Sequence, residues 1–224
     1  FNNNDRPGII LSSAIKKYSD YYGVVCGKEN ILFTNNDSAY ETAISLFNKG
    51  IKINAIIDIR EKVNSEITNH AEKIGIKIYN SYTIVDTSGY RRIKEVSIMK
   101  LSKDGQSVTG SKIKIKCNCL GISGGWTPAV HLFTQSGGKL KFDNEDNVFI
   151  PSKYPSNQIS IGSCNGEFDL NTIIKNFNQN IKNFLGIDKT SFEDLKINST
   201  KEILKRNIWL LPSDKAIGKC KPFV

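Results

Sequence analysis

Apolar runs and helical spacings alternate along the first 80 residues of the chain. The helices show apolar positions three and four residues apart, and a glycine follows each of them. The strands are short apolar runs without polar alternation, which indicates burial on both faces. In chain order the elements are a helix at Ile10–Tyr22, a strand at Asn30–Phe33, a helix at Ser38–Asn48, a strand at Ile51–Ile57, a helix at Ser65–Lys73 and a strand at Ile76–Tyr79. Strand–helix–strand alternation with short connections predicts a parallel sheet with right-handed crossovers.

The pattern changes to a period of two after Tyr79. Three segments alternate in this way: Tyr82–Val85, Ile93–Leu101 and Lys112–Leu120. The turn pairs Ser88-Gly89 and Asp104-Gly105 separate them. They predict an antiparallel meander laid across one face of the parallel sheet. The fold class is therefore predicted as α/β, a Rossmann-like FAD/NAD(P)-binding fold with a parallel sheet plus an antiparallel three-stranded meander.

Glycine and proline residues indicate turns in the chain beyond this meander. Gly121–Pro128 is typical of the turn through which a two-dinucleotide flavoprotein re-enters its first domain, and an ordinary Gly/Pro connection is the alternative. Ile159–Gly162 is predicted to form a short strand that leads into a turn and then into a helix near Leu170. The first backbone N–H groups of such a helix can bind an anion. From Ile173 the Asn- and Lys-rich chain predicts a small helical C-terminal appendage, with helical patches at Ile173–Phe184 and Ser199–Arg206.

These patterns divide the chain into four predicted segments. Residues 1–29 form a first segment with a helix, and residues 30–120 form a degenerate Rossmann-like domain with the β-meander. Residues 121–172 are predicted as the return segment of the first dinucleotide-binding domain, and residues 173–224 as the helical appendage.

The turn after the first predicted strand is where a dinucleotide fold holds its phosphates, and glycines normally let the backbone approach them. Here the turn Thr34–Tyr40 contains no glycine, and Asp37 places a negative charge where a pyrophosphate would sit. Asp58 ends the next strand, where a ribose-binding acid belongs, although strand ends are often polar. The favoured interpretation is a degenerate fold kept as scaffold or interface, with Asn35, Asn36 and Asp37 capping the helix. A dinucleotide-binding half is the alternative.

The net charge is +9, from 31 Lys and Arg against 22 Asp and Glu. Lysines alternate with isoleucine and asparagine throughout, and only five of the basic residues are arginine, so the pattern indicates solvated lysines rather than a nucleic-acid surface. A basic face toward an acidic partner subunit is the second interpretation. No apolar run approaches a membrane span and no signal peptide begins the chain, so we expect a cytoplasmic protein without membrane or nucleic-acid partners.

Few side chains suggest metal or acid–base chemistry. Five cysteines without paired CxxC spacing predict reduced thiols and no zinc site, and Cys117 and Cys119 are expected to point to the same face of one strand. His131 lies in an apolar stretch, which favours a packed core histidine over a catalyst. No catalytic residue is nominated.

Four segments carry a resemblance to a known family: RPGI at Arg6–Ile9, FTNNDSAYETA at Phe33–Ala43, SGGWTPAVHLFTQSGGKL at Ser123–Leu140 and IGSCNGEFDL at Ile161–Leu170. They resemble the α subunit of heterotetrameric sarcosine oxidase. The likeness covers the chain from Arg6 to about Phe168 and, more loosely, as far as Trp209. Large subunits of other multi-subunit N-methyl amino-acid dehydrogenases are close relatives of that family.

The resemblance implies an oxidoreductase that converts sarcosine to glycine, transfers the one-carbon unit to tetrahydrofolate and forms hydrogen peroxide. It implies NAD in the full α subunit, FAD and FMN in the assembled enzyme, and β, γ and δ subunits as partners. The NAD-pocket positions that it implies in this chain are Asn165, Leu170 and Thr172, with Ser163 and Gly166 beside them.

The same resemblance places the glycine-rich phosphate loop ahead of this segment and a folate domain after it. Because the chain begins with Phe1 and its only methionine is Met99, we expect an excerpt from a longer polypeptide. The excerpt alone is expected to be inactive and to hold no cofactor. The alternative is a stand-alone Rossmann-like nucleotide-binding or subunit-interaction module without catalysis of its own.

Overall fold

A computed structural model describes residues 1–155, 157–186, 208 and 210–215. These residues divide into two compact units: unit 1 comprises Phe1–Gly125 with the described residues at 208 and 210–215, and unit 2 runs from Trp126 to Gly186. The four-segment division predicted from the sequence stays a prediction.

Unit 1 contains eight strands and three helices within the described residues. In chain order they are β1 (Ile9–Leu11), α1 (Ser12–Tyr22), β2 (Asn30–Thr34), α2 (Ser38–Asn48), β3 (Ile53–Asp58), α3 (Glu66–Lys73), β4 (Ile78–Asn80), β5 (Tyr82–Ser88), β6 (Glu95–Leu101), β7 (Val108–Lys116) and β8 (Cys119–Ser123).

The parallel sheet has the order β1-β8-β2-β3-β4, and the antiparallel sheet has the order β5-β6-β7. Both predicted sheets are therefore confirmed, and the predicted strand at Ile93–Leu101 contains β6. All five residues of β2 are buried because both faces of the sheet are covered. On one face Ile31, Phe33 and Ile57 pack against the meander, and on the other Leu32 and Ile56 pack against α1 and α2.

Two strands of the parallel sheet were not predicted as such. Ile9–Leu11 pairs with β8 instead of opening the helix, so α1 begins at Ser12. The predicted third meander strand ends at Lys116, and the chain then turns to form β8 between β1 and β2. At this turn the expectation for the two thiols is wrong: Cys117 packs in the cluster on the meander face and Cys119 in the cluster on the helix face.

Gly121 lets α1 lie close to the centre of the parallel sheet. A Cβ atom at this position would come within 2.5 Å of the Leu32 side chain and 2.7 Å of the Ile15 side chain. Both neighbours are fully buried, so neither can move aside without loss of packing.

Unit 2 contains α4 (His131–Gln135), the hairpin β9 (Lys139–Asp143) and β10 (Val148–Lys153), a short 3₁₀ helix (Gly162–Asn165) and α5 (Leu170–Leu185). α5 confirms the predicted helix near Leu170, while the patch at Ser199–Arg206 lies outside the described residues. The predicted strand at Ile159–Gly162 is wrong, because this segment is irregular and leads into the 3₁₀ helix. Within the described part of the chain, no helix combines the length and apolar character needed to cross a bilayer.

Candidate functional site

The carboxyl ends of β2 and β8 meet at the point where ligands bind in open α/β sheets. From β2 the chain proceeds to β3 and β4 on one side, whereas β8 lies on the other side, so the strand order reverses between β2 and β8. Their last residues, Thr34 and Ser123, are register partners. This topological switch point is the candidate dinucleotide crevice of unit 1, and the residues after Thr34 and Ser123 line it.

Polar side chains bridge the crevice from β2 to β8. Asn35 Nδ2 donates to the carbonyl oxygen of Gly124 at 3.0 Å, and Asn36 Nδ2 donates to the hydroxyl of Ser123 at 3.2 Å. The hydroxyls of Ser38 and Ser123 lie 2.8 Å apart. Asn36 is completely buried and Asn35 is 6% exposed. The two strand ends are thus joined by side chains of the protein itself.

The start of α2 is capped by Asn36 rather than by Asp37. Asn36 Oδ1 accepts from the backbone N–H of Ser38 at 3.0 Å and from its hydroxyl at 2.6 Å. Asp37 occupies the N-cap position, but its side chain accepts no capping hydrogen bond. The expectation that Asp37 caps the helix is therefore wrong, because its carboxylate is held elsewhere.

Asp37 belongs to a buried ionic network with Arg60, Asp58 and Tyr40. Arg60 Nη1 lies 2.8 Å from Asp37 Oδ1, and Arg60 Nη2 lies 2.8 Å from Asp58 Oδ2. The hydroxyl of Tyr40 donates to the same Asp58 oxygen at 2.8 Å. The side chain of Asp58 is fully buried and that of Arg60 is 4% exposed, so the network lies almost entirely out of water. One guanidinium therefore neutralises two carboxylates from different elements.

Burial and charge act in opposite directions on Arg60. Burial favours its neutral form, but the hydrogen bonds and charge of Asp58, and then those of Asp37, raise the pKa of Arg60 above its ordinary value. Burial, followed by the charge and hydrogen bond of Asp58, also raises the pKa of Tyr40, which stays a neutral donor. Arg60 therefore stays a cation between the two carboxylates.

These residues do not fit a dinucleotide at the crevice. Asp58, at the place of a ribose-binding acid, already accepts from Arg60 and Tyr40. The backbone N–H of Ser38, which would face a phosphate, is taken by Asn36, and Asp37 adds a negative charge beside it. These contacts support the interpretation of Thr34–Tyr40 as part of a degenerate fold rather than of a dinucleotide-binding half.

The second candidate site is in unit 2 and contains all five residues that the family resemblance implied. Ser163 and Asn165 lie in the 3₁₀ helix, and Gly166 follows it with a φ of 87°, which a side chain would strain. Leu170 and Thr172 lie in the first turn of α5. A Cβ atom at Gly162 would contact Ile173, so the 3₁₀ helix packs directly against α5. All five positions are thus on one short stretch of chain; their role in cofactor binding stays a prediction.

The polar side chains of this second site include two carboxylates and one amide. Asp169 caps α5, since its Oδ2 accepts from the backbone N–H of Thr172 at 2.9 Å and from its hydroxyl at 2.7 Å. Glu167 accepts from Asn176 at 2.7 Å through Oε1, while its Oε2 is buried and has no hydrogen-bond partner among the described residues. Asn165 Oδ1 accepts from the hydroxyl of Tyr154 at 2.9 Å.

This donor and acceptor set fits the uncharged parts of a dinucleotide. A phosphate at the start of α5 would meet the Asp169 carboxylate, and Glu167 would repel it too. The orphaned Glu167 oxygen can accept from a hydroxyl or an amide N–H, such as those of ribose or nicotinamide. Glu167 was not singled out from the sequence, because a lone glutamate after a glycine carries no signal of burial.

The remaining candidates from the sequence are His131 and the cysteines. His131 is exposed at the start of α4, so the expectation of a packed core histidine is wrong. No group of His, Cys, Asp and Glu side chains in the described ranges could hold a metal ion. Burial raises the pKa of the Cys117 and Cys119 thiols to about 12, as expected for inert core cysteines.

Comparisons with known proteins agree with the resemblance found in the sequence. The chain is 33% identical over 171 residues to sarcosine oxidase subunit alpha of Corynebacterium sp. strain P-1, a match that covers 75% of this chain and 17% of that protein. The same subunit of Corynebacterium sp. strain U-96 is 30% identical over 169 residues, which cover 75% of this chain and 17% of that protein. The chain therefore spans about a sixth of the length of these curated relatives. No family model matches the chain.

Solved structures confirm the predicted fold class. The oxidoreductase FprA of Mycobacterium tuberculosis is similar with a TM-score of 0.53 and 13% identity, over 85% of this chain and 63% of that chain. The HOCl-induced flavoprotein disulfide reductase RclA of Escherichia coli has a TM-score of 0.53 and 13% identity, over 84% of this chain and 41% of that chain. At this level of identity the similarity concerns the fold, a Rossmann-like FAD/NAD(P)-binding α/β fold.

Proposed function

We propose that this chain, a relative of the sarcosine oxidase alpha subunits, is a segment of such a subunit and supplies scaffold and one wall of its NAD pocket. The observation that carries the proposal is the 33% identity over 171 residues, three quarters of the chain. The parent enzyme would be an oxidoreductase that demethylates sarcosine to glycine, with tetrahydrofolate accepting the one-carbon unit and hydrogen peroxide as the second product. Its β, γ and δ subunits would be the partners.

Unit 1 supplies the scaffold in this proposal. Its core is closed on both faces of the parallel sheet, and its crevice is bridged by Asn35, Asn36 and Ser123. A Rossmann-like unit whose strand ends are fixed in this way holds its loops without a bound nucleotide. FAD and FMN would therefore be bound by other parts of the assembled enzyme.

Unit 2 supplies the wall of the NAD pocket. Bound NAD would serve as a dinucleotide ligand whose phosphates are held outside this segment. The side chain of Asn165 and the orphaned oxygen of Glu167 would orient its uncharged groups, while Leu170, 47% exposed, would cover an apolar surface. Ser163, Gly166 and Thr172 shape the turn between these contacts.

Purification of the native assembly from its source organism, through an antibody raised against this chain, tests the proposal. We expect the assembly to contain further subunits, to hold flavin and to consume oxygen when sarcosine is added, with glycine as product. A native polypeptide no longer than this chain, or an assembly without sarcosine-dependent oxygen uptake, contradicts the proposal.

A further inference from the structure

The dinucleotide crevice of unit 1 has two anchor points in folds of this kind. The first anchor is the start of the helix that follows the first strand of the βαβ unit, where the phosphates bind. The second is the acidic residue at the end of the next strand, which binds the ribose hydroxyls. In this chain the anchors correspond to the turn before Ser38 and to Asp58.

We propose that the chain replaces the dinucleotide at both anchors with its own side chains, so that unit 1 holds an internal substitute for the ligand. Asn36 Oδ1 accepts from the backbone N–H of Ser38 that a phosphate would use, and Asp37 adds the negative charge beside it. Arg60 together with Tyr40 satisfies Asp58 in place of ribose hydroxyls.

The side chain of Arg60 connects the two halves of this internal substitute for the ligand. Its guanidinium spans from Asp58 at the end of β3 to Asp37 at the start of α2, with distances of 2.8 Å to each carboxylate. The ring of Tyr40 lies 6.0 Å from the guanidinium carbon, which adds a cation–π contact. A bound dinucleotide also connects these two positions, so the protein obtains the same connection without a ligand.

The crevice between the strand ends is closed independently of this network. Asn35 and Asn36 reach the backbone and hydroxyl of Ser123 and the carbonyl of Gly124. A dinucleotide would have to break these bonds in addition to the Arg60–Asp37 pair. Nucleotide binding at unit 1 is therefore opposed by two separate sets of contacts.

Removal of the internal anion should expose an anion site, which gives a gain-of-binding test. In the Asp37→Ser variant of the 224-residue chain, Arg60 keeps its partner Asp58 but loses the negative charge on its other side. The matched control is Asp20→Ser, which also removes one ion-paired carboxylate, but on the surface near the end of α1, where the partner is Lys49. Inorganic pyrophosphate is the probe, and binding is measured by calorimetry at low salt.

We expect pyrophosphate to bind the Asp37→Ser variant about 10-fold more tightly than the wild type or the Asp20→Ser control, because a charge-assisted donor becomes available. Equal affinities for the two variants overturn the inference, since Asp37 would then not stand in for a phosphate. A variant that fails to fold is replaced by Asp37→Asn, which keeps the size of the side chain.

Hydrogen exchange of the wild-type chain at NAD concentrations above about 1 mM, where weak binding would be seen, gives the second readout. We expect no change in the peptide that covers Phe33–Ala43. Protection of that peptide by NAD overturns the inference, whereas the proposed function concerns only the peptide that covers Ile161–Thr172. Failure of the inference and failure of the proposed function are thus seen in different peptides.

Discussion

Arg60→Met is the substitution that should perturb unit 1 most directly. Arg60 is 3% exposed and pairs with Asp58, which is fully buried, and with Asp37. The methionine side chain preserves much of the volume but leaves two carboxylates without their cation. Breaking a buried ion pair by removing one partner costs about 3–5 kcal/mol of unfolding free energy. Since domains of this size are stable by only about 5–15 kcal/mol, the loss should be large.

Urea unfolding followed by circular dichroism, near neutral pH and at room temperature, measures this loss. Lys62→Met is the matched control, because Lys62 pairs with Glu72 at 3.2 Å on the surface and its side chain is 60% exposed. The control should lose less than about 1 kcal/mol. The double variant Asp58→Asn with Arg60→Met should regain part of the loss, because the buried charge is removed with its partner. A loss for Arg60→Met no greater than that of the control would refute the assignment of a buried, paired network.

Three further predictions concern the core and the N-terminal segment. Gly121→Val should destabilise unit 1 by about 1–3 kcal/mol in the same urea assay, because a branched side chain there collides with buried neighbours on β2 and α1; unchanged stability would contradict the close packing of α1. The thiols of Cys117 and Cys119, with pKa values raised to about 12 by burial, should not react with a disulfide reagent in the native chain, so replacing either by alanine should leave the number of fast-reacting thiols unchanged. Asp86 is partly buried, which raises its pKa, but its bonds to Lys215 and to the N-terminal asparagines lower the pKa below the ordinary value of 3.8 overall. Its stabilising effect is therefore present above that ordinary pKa and lost as the pH falls through the lowered value. Asp86→Asn should be less stable by about 1 kcal/mol at neutral pH, and the difference should close in acid.

Local periodicity was sufficient to predict the elements that alternate clearly along the chain. The strands at Asn30, Ile53 and Ile78 are separated by helices with glycine stops, and the meander strands are separated by turn pairs. The positions of β1 and β8 depend instead on pairing between segments that are far apart in the chain, such as Ile9 with Leu120 and Asn30 with Cys119. No local pattern specifies such a partner, and the alternation through Lys116 and Cys117 hid the turn that begins β8.

The sequence indicated the acids of the candidate site but not their partners. Spacing from the first strand singled out Asp37 and Asp58, and the lack of glycine in the turn argued against a phosphate. Arg60 gave no signal, because only the folded sheet brings its guanidinium within 2.8 Å of both carboxylates. In unit 2, the burial of the Glu167 Oε2 atom and the exposure of His131 likewise depend on the packing of short elements that have no strong periodicity.

The central claim is that this chain carries only one wall of a cofactor site. The carboxylates of Glu167 and Asp169 would repel a phosphate at the start of α5. We therefore expect the charge-assisted bonds to the pyrophosphate to lie outside this chain. Each such bond contributes roughly 1.5–3 kcal/mol, and the loss of several lowers affinity by several powers of ten. Calorimetric titration of the 224-residue chain with NAD, together with an absorbance scan for bound flavin, tests the claim most directly. We predict no saturation below about millimolar NAD and no flavin spectrum. A dissociation constant near micromolar, or a yellow protein, would contradict the account, because the cofactor site would then be complete within this chain.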